Sequence, residues 1–294
     1  MSFMSRLCLG RVEIWYICCL TLWSIIPLTN TCMPDLQYGK RLLGSTFKII
    51  ENSALFACAA ECVTYGICKS FHFELGLRAC HLNGFDDLQY LEDGRKADII
   101  YSSIMNWNKT TLGPCQNRPC GFTQKCRVKR SGSMKCEGFV SNIARGKPAS
   151  SSSVWPDPKF QPRNAVDGND NAGSCFVGNS NDLSPWWQVD LQDTYVVVEV
   201  RVTNRKEFRP ERLHDFSIDV YQGDPLVNSS VTPQLCYMYN GAVTEPGKTV
   251  ALQCTSRTSG RYMRLSGKRT IDADDLLQFC EFRAFGFKPL QWYV

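Results

Sequence analysis

The sequence predicts a mainly β chain, in which a C-terminal antiparallel β-sandwich or jelly roll follows a small α+β disulfide module. Three observations carry this expectation. The chain has 294 residues, more than one hydrophobic core usually serves, so two or three domains are expected. Its 16 cysteines fall mostly in clustered, irregularly spaced sets, the usage of a chain folded in an oxidising compartment. Beyond residue 141, apolar and polar residues alternate in short runs separated by Gly, Asn, Asp, Ser and Pro, and no long amphipathic helix interrupts them. Charged residues at 21% and aromatics at 12% exclude wholesale disorder. A net charge of +5, from 33 Lys and Arg against 28 Asp and Glu, is too small and dispersed for a nucleic-acid-binding face.

In chain order, Arg6 and Arg11 precede an apolar run over residues 14–26, which Pro27 breaks. The run matches a signal-peptide core and falls short of the roughly 18–20 residues that span a bilayer. Residues 1–31 are therefore read as a signal peptide cleaved near Thr31 or Cys32, and the protein as secreted and extracellular. The shortness of the run disfavours an uncleaved anchor. Cys8, Cys18 and Cys19 leave with the signal, so 13 of the 16 cysteines remain. An odd count implies a free thiol, an intermolecular bridge or a displaced cleavage site.

The first mature cysteines are Cys58, Cys62, Cys68 and Cys80. Leu55, Cys58, Ala59 and Cys62 share one face of a short helix, with N-cap chemistry expected from Asn52-Ser53. Phe71 and Phe73 alternate with Ser70, His72 and Glu74, which predicts a half-buried strand. The helix is stapled to the following hairpin most simply by Cys58–Cys80 and Cys62–Cys68. A zinc site using these cysteines with His72 and His81 is the competing reading, disfavoured because oxidation competes with metal and no C-x2-C pair is present. Residues 32–107 resemble the PAN/apple family of extracellular protein- or glycan-binding modules. The final strand, around Ala97 to Tyr101, lacks the cysteine that many apple domains use to join first and last strands, which leaves Cys32 without an evident partner.

The second set, Cys115, Cys120, Cys126 and Cys136, lies in a segment too short to bury a useful core, so disulfides must hold it. Residues 113–140 resemble a truncated EGF-like module, which implies Cys115–Cys126 and Cys120–Cys136. Arg127-Val128-Lys129-Arg130 reads as a solvated basic hairpin tip in preference to a convertase site. Asn108 and Asn228 begin glycosylation sequons.

Residues 141–288 form the largest part. Val198, Val200 and Val202 alternate with Glu199 and Arg201, and Phe216, Ile218 and Val220 with Ser217 and Asp219. The turn Asn164-Ala165-Val166-Asp167-Gly168-Asn169 gathers hard oxygen donors of the kind calcium takes, although such turns also serve backbone ends. If Cys175 pairs with Cys280, Ser174 and Glu281 are drawn together beside this turn, and Cys236–Cys254 forms a second bridge.

The stretches SNIARGKPASSSS, NAVDGN, SPWWQVDL and FCEFRAFGF, in that order, resemble the F-type lectin (fucolectin) family. The resemblance implies a jelly roll related to the discoidin, or coagulation-factor C-type, domains. It also implies a calcium site at Asn164, Asp167, Asn169, Ser174, Cys280 and Glu281, and carbohydrate binding by two arginines in an R-x-D-x4-R/K pattern. Arg205, Glu207 and Arg212 occupy that pattern, with glutamate in place of aspartate. Phe208 stands where the family stacks an adjacent disulfide under the sugar. Guanidinium forks are rigid, permanently charged donors suited to sugar oxygens. The family histidine is missing, Val177 standing as its equivalent here, and His214 lies beyond the arginines.

Trp186 and Trp187 are read as sandwich core. The histidines, His72, His81 and His214, lie in no nucleophile or zinc-protease motif, so a non-enzymatic protein is expected. The favoured function is a secreted calcium-dependent lectin for fucosylated or related glycans on cells or microbes, made multivalent through an oligomer that Cys32 would crosslink. The alternative is an adhesion or matrix protein that has lost fucose binding and meets membrane or protein through exposed tips at Trp155 and Phe160.

Overall fold

The computed structural model describes residues 35–93, 98–108, 112–171, 173–269 and 275–290. The expected signal segment, Cys32 and Ala97 lie outside them. No helix among the described residues is long and apolar enough to cross a membrane.

The N-terminal module contains β1 (Gln37–Tyr38), β2 (Lys40–Leu42), β3 (Thr46–Ile50), α1 (Leu55–Thr64), β4 (Ser70–Glu74), β5 (Ala79–Asn83), β6 (Leu91–Asp93) and β7 (Ile99–Ser103). Five strands form an antiparallel sheet in the order β1-β7-β4-β5-β3, and β2 pairs separately with β6. Helix α1 buries Cys58, Ala59, Cys62 and Val63, and disulfides join Cys58 to Cys80 and Cys62 to Cys68. Its N-cap is Ala54, with no side-chain cap. Asn52 instead takes a left-handed turn at φ 53°, and the Ser53 hydroxyl donates to the Ala54 carbonyl. Strand β4 is buried on both faces from Ser70 to Phe73, where alternation had predicted one open face. Phe71 and Phe73 meet the helix-side core, and β2 lies against β4 and β7.

A disulfide hairpin follows. Strands β8 (Gln124–Val128) and β9 (Met134–Gly138) pair, and the bridges are Cys115–Cys126 and Cys120–Cys136. Arg127 pairs with Glu137 at 2.5 Å, and Lys129 and Arg130 are exposed at the turn. The segment docks on the first module: Gly66 N–H donates to the Gln124 carbonyl at 2.9 Å, and the Phe139 ring meets Tyr65 edge-on at 4.6 Å. Asn108 and Asn228 are both exposed.

The C-terminal part contains β10 (Ala149–Ser151), β11 (Phe176–Val177), β12 (Trp186–Thr203), β13 (His214–Tyr221), β14 (Gln234–Ala242), β15 (Thr249–Gly267), β16 (Gln278–Phe279) and β17 (Glu281–Phe287). Strands β12 and β15 are long and pair over most of their length, with register shifts between Asp190 and Tyr195 and between Val197 and Glu199. One half of each joins β10, β13 and β14, while the other half of β12 joins β17. Such shifts let one strand serve two layers of a sandwich. The core between them holds Trp187, Val189, Val200, Val202, Phe216, Ile218, Val220 and Phe282. Trp187 is fully buried, its ring 4.9 Å from Phe282. Trp186 is not core: it is half-buried, with the Arg264 guanidinium 4.3 Å over its ring.

The shift after Val197 also reverses an expectation. Val197, Val200 and Val202 face the sandwich core, whereas Val198 joins the apolar cluster of the N-terminal module. Phe287 reaches the same cluster, 5.9 Å from Phe47. Arg257 adds a hydrogen bond to the Leu43 carbonyl and stacks 5.1 Å over Tyr90. The two parts therefore share an apolar seam.

Candidate functional site

Residues 162–171 and the start of β17 meet because Cys175 is bonded to Cys280. A short 3-10 turn, Pro162–Val166, places Asn164 where its amide N–H groups donate to the Lys159 and Cys175 carbonyls. Its oxygens remain as donors to a cation. Gly168 sits at φ 83°, open to glycine at no steric cost. Asp167 accepts from Asn169 N–H at 2.7 Å and from the Ser174 hydroxyl, and Asn169 accepts from Asn171 N–H at 3.1 Å.

Beneath this exposed turn the Glu281 side chain has 0% exposure. Its Oε2 accepts from Gly168 N–H at 3.2 Å, while the buried Oε1 has no hydrogen-bond partner. Arg283 Nε stands 3.7 Å from Oε1, and that guanidinium is engaged with Asp170 at 2.5 Å. Burial pushes the Glu281 carboxyl up to about 7; Gly168 N–H and Arg283 pull it down, and Asp167 and Asp170 push it further up. A buried carboxylate oxygen without a partner, beside two more carboxylates and several amide, hydroxyl and carbonyl oxygens, is a donor set that fits a hard divalent cation. Two cations oppose one: Arg145, whose guanidinium packs against Gly168, and Arg283, 3.7 Å from Glu281 Oε1. All six residues of the expected metal set fall in this one region, Cys280 through its main chain next to Glu281.

The arginines are assembled by the loop between β12 and β13. Arg212 ends a short 3-10 turn, Pro210–Arg212, and is buried. Its guanidinium lies 5.0 Å over the Phe208 ring, and that of Arg205 lies 4.9 Å over Phe160. Glu207 Oε2 is 3.9 Å from Arg205 Nε, which is buried and makes no hydrogen bond. Burial lowers the proton affinity of Arg205; Glu207 raises it and the Arg212 charge lowers it.

Gln278, fully buried, is the residue that sequence reasoning missed. Its amide donates to the Phe208 and Arg209 carbonyls at 2.9 and 2.7 Å, and its oxygen accepts from Arg205 at 3.4 Å. A signal existed. With Cys175 bonded to Cys280, antiparallel pairing carries Phe176 to Phe279 and Val177 to Gln278, so Gln278 shares a sheet face with Val177.

Phe160 corrects a second expectation. At 7% exposure it is no loop tip; it packs with Val177 and Leu276 beneath Arg205. Val177 is buried there, so this position supplies apolar packing and no polar contact. Trp155 remains exposed at 39%, its N–H bonded to the Val177 carbonyl. His214 is engaged by Asp215 at 3.0 Å and Asp275 at 2.8 Å.

Two family models match the chain: the NedA-like, galactose-binding domain over residues 164–265 and the PAN domain over residues 32–106. The chain is 29% identical over 161 residues to a fucolectin of Anguilla anguilla, covering 52% of this chain and 96% of the relative. It is 30% identical over 160 residues to fucolectin-1 of Anguilla japonica, covering 51% and 83%. It is also similar to a solved f-lectin (fucolectin) from Morone saxatilis serum, with 27% identity, 51% of this chain and 50% of that chain covered, and a TM-score of 0.44. With the relative matched over most of its own length, the chain belongs to the fucolectin, or F-type lectin, family and carries a PAN domain N-terminal to its lectin-like domain.

Proposed function

We propose that this chain is a secreted, non-catalytic, calcium-binding lectin whose C-terminal domain binds fucosylated or related glycans. The carrying observation is the placement of Arg205 and Arg212 in one loop, each stacked on a phenylalanine, with a buried Arg205 N–H that makes no hydrogen bond. Guanidiniums braced on aromatic rings within one loop are rigid donors suited to sugar oxygens, and the half-exposed Phe208 face offers an apolar surface for a sugar's C–H groups. The names of the eel fucolectins support the same ligand class.

In this reading calcium is held by Asn164, Asp167, Asn169, Ser174, Cys280 and Glu281 and supplies charge that secures the turn. It takes no part in chemistry. With Val177 buried, the site lacks the hydrogen bond that a polar side chain there would give, a loss worth about 0.5–1.5 kcal/mol. Single sites of this kind act through multivalency, for which a Cys32 crosslink is the proposed route. The adhesion alternative rests on the exposed Trp155 alone, since Phe160 is buried.

A glycan array with the full secreted chain, run in calcium and in chelator, tests the proposal. Calcium-dependent capture of fucosylated glycans, lost in Arg205→Lys, is expected. A folded chain that binds no glycan, or binds equally well as Arg205→Lys, overturns it.

A further inference from the structure

We propose that the Arg130–Ser131 bond, at the tip of the β8–β9 hairpin, is cut by a basic-specific, subtilisin-like endoprotease, giving two chains that stay joined through Cys120–Cys136. Arg127, Lys129 and Arg130 place basic side chains four, two and one positions before that bond. Carboxylate-lined substrate pockets read such a pattern by pairing with each cation. In the chain's other Lys-Arg pairs, Lys40-Arg41 and Lys268-Arg269, the residue two before the pair is Tyr38 or Ser266. Arg269 is also buried, at 7% exposure.

The tip is solvated, as its sequence implies, and solvation makes it reachable. Every residue from Arg127 to Cys136 is exposed. Small residues follow the bond, Ser131, Gly132 and Ser133, as in the exposed polar tips that proteases nick. Strand β8 holds Arg127 and Val128 extended. It pairs with β9, and its other edge is bridged by Tyr65 at Lys125. From Arg127 onward an enzyme can add that edge to its own sheet. Two hydrogen bonds close the tip: Lys129 N–H donates to the Ser133 carbonyl at 2.8 Å, and Gly132 N–H to the Lys129 carbonyl at 2.9 Å. Opening them and the Val128–Met134 pair below uncovers no core, since both side chains are already exposed. Fraying stops at the Cys126–Cys136 pair, which disulfides to Cys115 and Cys120 pin. The Arg127–Glu137 ion pair opposes recognition only weakly, being largely exposed.

The step is a hydrolysis: water adds across the amide, leaving a carboxylate on Arg130 and an amine on Ser131. Cys58–Cys80, Cys62–Cys68 and Cys115–Cys126 lie before the bond, and Cys175–Cys280 and Cys236–Cys254 after it. Among the described residues, Cys120–Cys136 is therefore the disulfide that crosses it. The PAN domain ends up on one chain and the lectin-like domain on the other, with Phe139 against Tyr65 and Phe287 against Phe47 keeping them docked.

Processing in the cell rests on the reading of the chain as secreted; the site itself does not. Disulfide-intact full chain, purified from convertase-deficient cells, is digested with a purified subtilisin-like convertase. The expected product is one band without reductant, heavier by one water, and two bands with reductant, one of them beginning at Ser131. Arg130→Ala should abolish the cut, and Arg127→Ala should slow it roughly tenfold or more, the loss of one charged hydrogen bond to the enzyme. Both side chains are exposed, so the variants should keep the fold, checked by their thermal midpoints. A chain that stays whole, is cut first at another bond, or is cut equally fast as Arg127→Ala overturns the proposal. Medium from convertase-competent cells should already hold the two-chain form; single chain there overturns processing in the cell. Chain that never reaches the medium counts against secretion, and the digest still decides the site.

Discussion

Replacing Glu281 with glutamine should stabilise the metal-free protein at neutral pH, an unusual outcome for a change at a fully buried residue. Burial raises the Glu281 carboxyl from 4.5 to about 7 in the folded state, so the ionised folded form is disfavoured by about 3 kcal/mol as an upper estimate. Well below pH 4.5 both states are protonated and nothing is lost. Between 4.5 and about 7 the unfolded chain gives up its proton while the folded chain keeps it, so stability falls as pH rises; above about 7 the full cost is present. Glutamine keeps the shape and an acceptor for Gly168 N–H, and has no proton to lose. In chelator, urea midpoints of wild type and Glu281→Gln should converge near pH 4 and separate toward pH 8, the variant being more stable there. Calcium should then restore the wild type and leave the variant unmoved. Subtracting the two chains removes the contribution of the titrating groups that do not interact with Glu281. Curves that stay parallel from pH 4 to 8 in chelator would refute the reasoning.

Gln278→Ala removes three hydrogen bonds at the arginine loop; about 1–3 kcal/mol of stability and most of the glycan affinity should be lost, read by urea unfolding and glycan titration. Trp187→Ala deletes the ring packed on Phe279 and Phe282 and the indole hydrogen bond to Pro162, and should cost about 3–5 kcal/mol by the same unfolding assay. Arg257→Ala severs the polar anchor to Leu43 and Tyr90; glycan affinity should be unchanged while amides in residues 40–45 exchange faster with solvent.

What was legible in the sequence was whatever local chemistry dictates. Helix α1 followed from the spacing of Cys58, Ala59 and Cys62, and β13 from Phe216, Ile218 and Val220, because one face of each meets a single core. The six disulfides among the described residues are the pairs expected from cysteine order and family resemblance. What was not legible depends on neighbours distant in the chain. Phe160 looks like a loop tip until Arg205, Val177 and Leu276 enclose it. Val198 looks like its neighbours Val200 and Val202 until a one-residue shift against β17 turns it toward another module. Ser70 to Phe73 alternate as a half-open strand, yet both faces are covered. A period-two pattern reports side-chain chemistry; it does not report how many layers the fold stacks against the strand.

The register of one short ladder also links the turn proposed for calcium to the arginine loop. Gln278, Cys280 and Glu281 are nearly consecutive, and each is buried. The first fixes the loop that carries both arginines, the second is bonded to Cys175, and the third lies under the Asp167–Gly168 turn. Across the ladder, Val177 opposite Gln278 supports the Phe160 ring on which Arg205 rests. An ion that neutralised Glu281 would remove the cost of a buried carboxylate and so favour the backbone that positions Gln278. Calcium could then govern sugar affinity without touching the sugar, through the difference in stability between a filled and an empty turn. The number of rigid bonds between the two sites supports this route: a disulfide and a two-residue strand pair leave little freedom for one to move without the other.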